Sequence, residues 1–175
     1  AELSKTPTPR WDLLQLARYA SMGVQYSRGC PHNCDFCNVT ALFGRRARTK
    51  SPAQVLDELH ALHAAGWRAG VFFVDDNFIG KKRELKRDLL PALVEWRRDR
   101  PEISFLTETT IGLADDQRLM DQMVQAGFDT VFIGIETPED ASLGECGKSQ
   151  NQNRDLIGDV RKIQHAGLEV QAGFI

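Results

Sequence analysis

No stretch of the 175 residues approaches the roughly 20 consecutive apolar positions that a bilayer-spanning helix needs, so no transmembrane helix is expected. Nor does the sequence open on the basic and then apolar pattern of a secretory signal. Charge of one sign is not in excess. The 22 Lys and Arg against 24 Asp and Glu leave a formal charge of -2, which gives no global drive toward nucleic acid or an anionic membrane. Two local basic clusters, Arg45-Arg46-Ala47-Arg48-Thr49-Lys50 and Lys81-Lys82-Arg83 with Lys86-Arg87, read as solvated faces. Cysteine is scarce too. Four in the chain, three of them crowded together, do not form the spaced, even framework of a disulfide-stapled secreted domain, and a reducing cytoplasm is the expected setting. At 42% hydrophobic and 26% charged the composition is ordinary for one well-buried domain.

What is present begins with those crowded cysteines, in Ser27-Arg28-Gly29-Cys30-Pro31-His32-Asn33-Cys34-Asp35-Phe36-Cys37. Thiolates at Cys30, Cys34 and Cys37 on a tight loop can converge on one centre, and soft sulfur ligands select zinc or iron-sulfur clusters. The fourth cysteine, Cys146, is more than a hundred residues away, so no local fourth ligand is evident. Three thiolates leave one metal position open, and open positions belong to chemistry rather than to structure. The alternative is a non-catalytic module, in which zinc or a cluster stabilises a scaffold or relays electrons. A zinc knuckle would need a distant ligand or His32, and an electron-transfer ferredoxin would need a fourth cysteine.

Apolar segments alternate with amphipathic ones, the pattern of a parallel sheet with crossover helices. Strands are expected at Gly23 to Ser27, Val71 to Val74, Ile103 to Thr107, Thr130 to Ile135 and Glu169 to Ile175. Helical spacing places Val55, Leu59 and Leu62 in the core, then Leu85, Leu89, Leu93 and Trp96, then Leu119, Met120, Met123 and Val124, and finally Leu156, Val160 and Ile163. Ser51, Pro52 and Gln54 form a helix start with a capping box, and Pro91 should kink the second helix. Gly66, Gly127 and Gly167 each follow a helix as a left-handed cap. In barrels of this kind reactive groups gather at the carboxyl ends of strands. Here those ends carry the cysteine loop, Asp75-Asp76-Asn77, Glu108 and Glu136. The apolar strand at Ile175 reads as the edge of an unfinished barrel, with residues 1–22 as a linker from an upstream domain and 23–175 as the core.

The C-x3-C-x2-C spacing with Phe36 before the last cysteine resembles the signature of the radical S-adenosylmethionine (radical SAM) enzymes. Pro9-Arg10-Trp11-Asp12-Leu13-Leu14, Gln25-Tyr26-Ser27-Arg28-Gly29-Cys30-Pro31, Arg48-Thr49-Lys50-Ser51-Pro52, Val74-Asp75-Asp76-Asn77-Phe78 and Gly134-Ile135-Glu136-Thr137-Pro138 extend the likeness to the radical domain of proteins with an upstream cobalamin-binding domain. The resemblance implies a partial (β/α) TIM-like barrel, incomplete after about five strands. It implies that Cys30, Cys34 and Cys37 hold a 4Fe-4S cluster whose unique iron is chelated by S-adenosylmethionine. Reductive cleavage to a 5′-deoxyadenosyl radical would then serve hydrogen abstraction or cobalamin-dependent methyl transfer. By position Asp75, Asp76 and Asn77 replace the family's Gly-Gly-Glu motif at the methionyl amine, although the glycines are absent. Glu108 and Glu136 are candidates for the ribose or the methionyl end, Phe36 for adenine, and Gly173 for the adenine-supporting strand. No Asp-x-His-x-x-Gly signature occurs, so cobalamin would sit on the upstream domain. The implied partners are a small-molecule substrate, such as a lipid or natural-product intermediate, and an electron donor such as ferredoxin or flavodoxin. No residue stands out as a catalytic acid or base, while Lys148, Gln150 and Asn151 are further candidates for substrate contact.

Overall fold

The computed structural model describes residues 2–175, and Ala1, the first residue of the expected linker, lies outside them. The chain enters the sheet at β1 (Met22–Val24) and leaves it for an antiparallel ribbon of β2 (Ser27–Arg28) and β3 (Arg48–Thr49), with α1 (Val39–Phe43) between them. The single strand expected from Gly23 to Ser27 is therefore split. Its cause is the Asp75 side chain, whose two oxygens accept the backbone N–H groups of Tyr26 and Ser27 and draw that stretch away from the sheet.

After α2 (Pro52–Ala64) the chain alternates strictly. It runs through β4 (Val71–Phe73), the segment α3 (Lys82–Glu84) to α4 (Leu90–Arg97), β5 (Phe105–Thr109), α5 (Gln117–Ala126), β6 (Phe128–Glu136), α6 (Asp140–Glu145), α7 (Leu156–His165) and β7 (Glu169–Phe174). One five-stranded sheet results, in the order β1-β4-β5-β6-β7 with every pairing parallel. Strand β5 begins two residues later than expected, because the Ile103 N–H closes a turn on the Arg100 carbonyl at 3.2 Å.

The expected boundary signals operate. Ser51 and Gln54 make the capping box at the start of α2. Gly127 ends α5 with φ 98°, a left-handed backbone that favours glycine. Pro91 acts one turn before itself. The helix widens to a π-turn over Leu85–Leu89, and Leu90 N–H bonds back to Leu85, which relieves the clash a proline ring would make with the carbonyl four residues earlier.

Val71 and Phe73 of β4, Phe105 of β5, and Phe128, Val131, Ile133 and Ile135 of β6 are buried in the core, the parity of β6 shifting after Phe128 where its register with β5 slips. Phe73, Phe105 and Phe128 meet with ring centroids 5.2–5.4 Å apart, and Phe78 joins them. The expected core positions Val55, Leu59, Leu62, Leu85, Leu89, Leu93, Trp96, Leu119, Met120, Met123 and Ile163 are all buried, whereas Val124, Leu156 and Val160 are half-buried at its edge. The segment before β1 is docked, not loose: Leu3 and Trp11 are buried, and the Trp11 indole N–H bonds the Glu58 carbonyl at 3.2 Å. Lys50 and Glu58 pair within this seam, so neither charge is left alone in the interior. Among the described residues no helix is long and apolar enough to cross a membrane.

Candidate cofactor cavity at the strand ends

The cysteine loop starts where β2 ends, and two aspartates from the end of β4 fix its path. Asp75 is 1% exposed, and both its oxygens are taken up by the Tyr26 and Ser27 N–H groups. Burial pushes its pKa up to about 7. Its neighbour Asp76 accepts the Gly29 N–H at 3.0 Å and borders the space beyond the loop. Gly29 itself has φ 99° and lies under the chain at Gly44 and Arg46, where a Cβ would come within 2.9 and 2.8 Å of carbonyl oxygens.

From the other side the segment after α6 closes on the loop. Asp35 N–H donates to the Cys146 carbonyl at 2.9 Å, Gln150 Nε2 lies 3.5 Å from the Cys34 sulfur, and a Cβ on Gly147 would sit 2.8 Å from the Asn33 oxygen. Cys146 is thus remote in sequence yet adjacent in space, through its backbone; its own thiol donates to the Leu143 carbonyl at 3.6 Å.

Between these walls lies a cavity of about 170 Å³ bordered by Cys30, Cys34 and Cys37. Phe36, Asp76, Glu108 and Glu136 border it too, so the loop, β4, β5 and β6 deliver the expected groups to one place. Burial, and after it the neighbouring Asp76, pushes the Glu108 carboxyl up. Burial also raises the Cys30 thiol, so ligation by its thiolate releases a proton. His32 borders the same space, and burial together with Lys148 holds its pKa down.

Glu136 sits at the centre of a three-residue turn, with φ 64° and Thr137 N–H bonded to the Ile135 carbonyl at 2.9 Å. That turn folds its carboxylate back over Gly134, where it pairs with Lys148; the two side chains are only 11% and 10% exposed. The Lys148 ammonium also lies 5.5 Å from the centre of the Phe36 ring, a cation–π arrangement.

Three of the expected cofactor residues do not reach the cavity. Asp75 is spent on the backbone of the loop. Asn77, 3% exposed, stands at the start of a 3-10 turn (Phe78–Lys81) and does not line the cavity, and Gly173 sits on β7 opposite Gly134, where its missing Cβ makes room for the Phe132 ring. Four lining residues escaped the sequence reading: Thr109, Thr110, Phe132 and Gly134. Only Gly134 carried a signal, since glycine inside an apolar strand marks a close approach; a Cβ there would fall 2.3 Å from the Glu136 carboxylate. Of the weaker candidates, Lys148 and Gln150 do line the cavity, whereas Asn151 is buried and bonds the Gly134 and Ile135 carbonyls at 3.0 Å.

Among the described residues no three His, Cys, Asp or Glu are gathered closely enough to hold a single metal ion. A four-iron cluster takes its thiolates on separate irons, so ligands that ring a common space suit it better.

Comparison with known proteins agrees with this geometry. The chain is 52% identical over 175 residues to an uncharacterized methyltransferase of Synechocystis sp., covering 99% of this chain and 32% of that protein. It is 38% identical over 175 residues to the hopanoid C-2 methylase of Rhodopseudomonas palustris, covering 99% of this chain and 33% of that one. It therefore spans about one third of the length of these relatives. The cobalamin-dependent S-adenosylmethionine radical enzyme OxsB superposes with a TM-score of 0.78 at 23% identity, over 100% of this chain and 26% of that one, which establishes the shared partial barrel fold. Residues 24–174 match the family model of the radical SAM superfamily. The chain, cysteine loop, parallel sheet and strand-end carboxylates together, belongs to the radical SAM superfamily.

Proposed function

We propose that residues 23–175 are the radical SAM core of a cobalamin-dependent methyltransferase, with 1–22 leading from an upstream cobalamin domain. The observation that carries this reading is the convergence of Cys30, Cys34 and Cys37 with Phe36, Asp76, Glu108 and Glu136 on one cavity, in a chain whose relatives include methyltransferases. When bound, a 4Fe-4S cluster and S-adenosylmethionine supply one-electron reductive cleavage of the sulfonium.

The chain's own residues hold, orient and shield. Cys30, Cys34 and Cys37 are the cluster ligands, and Asp75 keeps their loop in place through two backbone N–H groups. Asp76 and Glu108 offer acceptors to the methionyl ammonium, and Glu136 to the ribose hydroxyls. Phe36, already facing a cation, presents its ring to the adenine end. Lys148 holds Glu136 and Phe36 in mutual register from between them. The substrate is a small molecule, with a lipid of the class named for the Rhodopseudomonas relative the first to try.

Anaerobic reconstitution of the full-length protein tests the reading. About four irons and four sulfides per chain, 5′-deoxyadenosine formation under reductant and methyl transfer dependent on added cobalamin are the expected results. Tightly held stoichiometric zinc in their place would overturn it.

A further inference from the structure

One of the three loop thiols has a hydrogen-bond donor that arrives from the opposite wall. Gln150 Nε2 lies 3.5 Å from the Cys34 sulfur, and among the described residues no other side chain donates to the sulfur of Cys30, Cys34 or Cys37. Cys30 takes a backbone N–H instead, from His32. Gln150 and Cys34 are 116 positions apart, so only the folded chain brings them together.

The Gln150 side chain is not needed to hold its own segment. It stands in the middle of a 3-10 turn, Ser149–Asn151, that its neighbours fasten. Asn151 bonds the Gly134 and Ile135 carbonyls at 3.0 Å, Lys148 pairs with Glu136, and the Cys146 carbonyl accepts the Asp35 N–H at 2.9 Å. The far end of the amide is left over. Gln150 Oε1 is buried and bonds nothing among the described residues. A side chain kept there for packing alone would be apolar, because a buried acceptor without a partner is destabilising. What an apolar residue could not supply is the single N–H that points at the Cys34 sulfur, from a turn anchored on β6.

We propose that Gln150 sets the reduction potential of the cluster through the Cys34 sulfur. The proposal rests on the function above, because only a cluster held by these thiolates has a potential to set. A donor to the sulfur withdraws charge from the thiolate. The reduced cluster carries one more negative charge than the oxidised one and is stabilised more by that donor, so the potential rises. The electron comes from a one-electron reductant; no bond forms or breaks, and the proton stays on the amide nitrogen. In this role Gln150 acts through Cys34 and is a positioning residue.

The test uses the full-length, reconstituted protein, with potentials read without turnover by dye-mediated titration and electron paramagnetic resonance. Gln150→Met keeps the length of the side chain and loses the N–H. Its cluster should be harder to reduce by about tenfold in the reduction equilibrium, or about 59 mV for a one-electron couple. Gln152→Met removes the next glutamine amide, which bonds the Asp140 carbonyl at 3.1 Å, and should leave the potential unchanged. A second readout is independent of the potential. With the glutamine amide nitrogens isotopically labelled, the reduced wild-type cluster should show a nitrogen coupling in pulsed resonance that Gln150→Met lacks. An unchanged potential in Gln150→Met, an equal fall in Gln152→Met, or no nitrogen coupling in the wild type would overturn the proposal. So would Gln150→Met protein that takes up no cluster where the wild type does, which would give Gln150 a part in assembling the site instead. A wild-type protein that takes up no four-iron cluster refutes the underlying function, and the iron and sulfide analysis reads that separately.

Discussion

Replacing Asp75 with Asn separates a clamp from a ligand. The side chain is 1% exposed and its two oxygens accept the N–H groups of Tyr26 and Ser27. In asparagine one oxygen becomes an amide nitrogen, which cannot accept, so a donor faces a donor in the interior. The loss should be on the order of 1–3 kcal/mol, the cost of leaving one buried group unsatisfied. Its pH dependence has a definite sign. Burial raises the carboxyl to about 7 in the folded protein, so the stability that Asp75 provides is fully present below its unfolded value and is lost as pH rises through about 7. A protonated carboxyl still accepts both N–H groups, whereas an ionised one must remain charged without water. The deficit of Asp75→Asn relative to wild type should therefore be largest near pH 4.5 and narrow by up to about 1.4 kcal/mol per pH unit toward neutrality. Urea unfolding of the cluster-free protein from pH 4.5 to 8 measures it. A deficit that grows with pH would mean that Asp75 holds the loop as a carboxylate, and the reasoning would fail.

Alanine at Cys30, Cys34 or Cys37 should each abolish the visible iron-sulfur absorption after reconstitution, whereas Cys146→Ala should leave it intact, because Cys146 meets the loop through its backbone carbonyl. Equal loss at Cys146 would mean the ligands are miscounted. Asp76→Ala should weaken S-adenosylmethionine binding by about 1.5–3 kcal/mol in calorimetric titration, the range for a hydrogen bond to a charged group, with iron content measured alongside because the Gly29 N–H beside Cys30 also loses its acceptor. Gly134→Ala places a methyl group 2.3 Å from the Glu136 carboxylate and 2.8 Å from the Lys148 ammonium; it should cost about 1–3 kcal/mol of stability in urea unfolding and loosen cofactor binding as the pair is pushed apart. Wild-type behaviour on both counts would show that the pair yields freely.

The cysteine loop and the acidic strand ends were legible in the sequence because they are local: ligand spacing lies within eight residues, and a run of apolar strand residues ending in a carboxylate says where the rim is. Helix boundaries were legible for the same reason, through Ser51 with Gln54 and the glycines after the helices. What failed was the choice between adjacent residues. Asp75 and Asp76 look equivalent in sequence, yet Val71 and Phe73 are buried and Asp75 continues their parity, while Phe72, Val74 and Asp76 continue the other. Strand parity could have assigned the two aspartates opposite roles. The second wall was less accessible. Lys148 and Gln150 arrive through a polar connection after α6 whose path depends on tertiary contacts with Asn33, Cys34 and Asp35, and no periodicity reports that.

The same parity explains why one strand dominates the rim. Phe132, Gly134 and Glu136 alternate with the buried Val131, Ile133 and Ile135, so β6 alone presents three residues to the cavity, with Glu108 of β5 in register beside Phe132. Regular pairing would carry this strand straight on past the cavity. Instead an extra residue enters between Gly134 and Glu136 relative to β7, and the chain turns at Glu136 with a left-handed backbone that costs a non-glycine residue about 1–3 kcal/mol. The surroundings offset that cost. Ile175 N–H bonds the Glu136 carbonyl at 3.0 Å, Asn151 holds the Gly134 and Ile135 carbonyls, and Lys148 pairs with the carboxylate that the turn has swung back. Glycine at 134 is the space into which that carboxylate folds. Bulge, turn, glycine and lysine therefore act as one device, several independent contacts holding the strained turn that aims a strand-end acid at the cavity instead of along the strand.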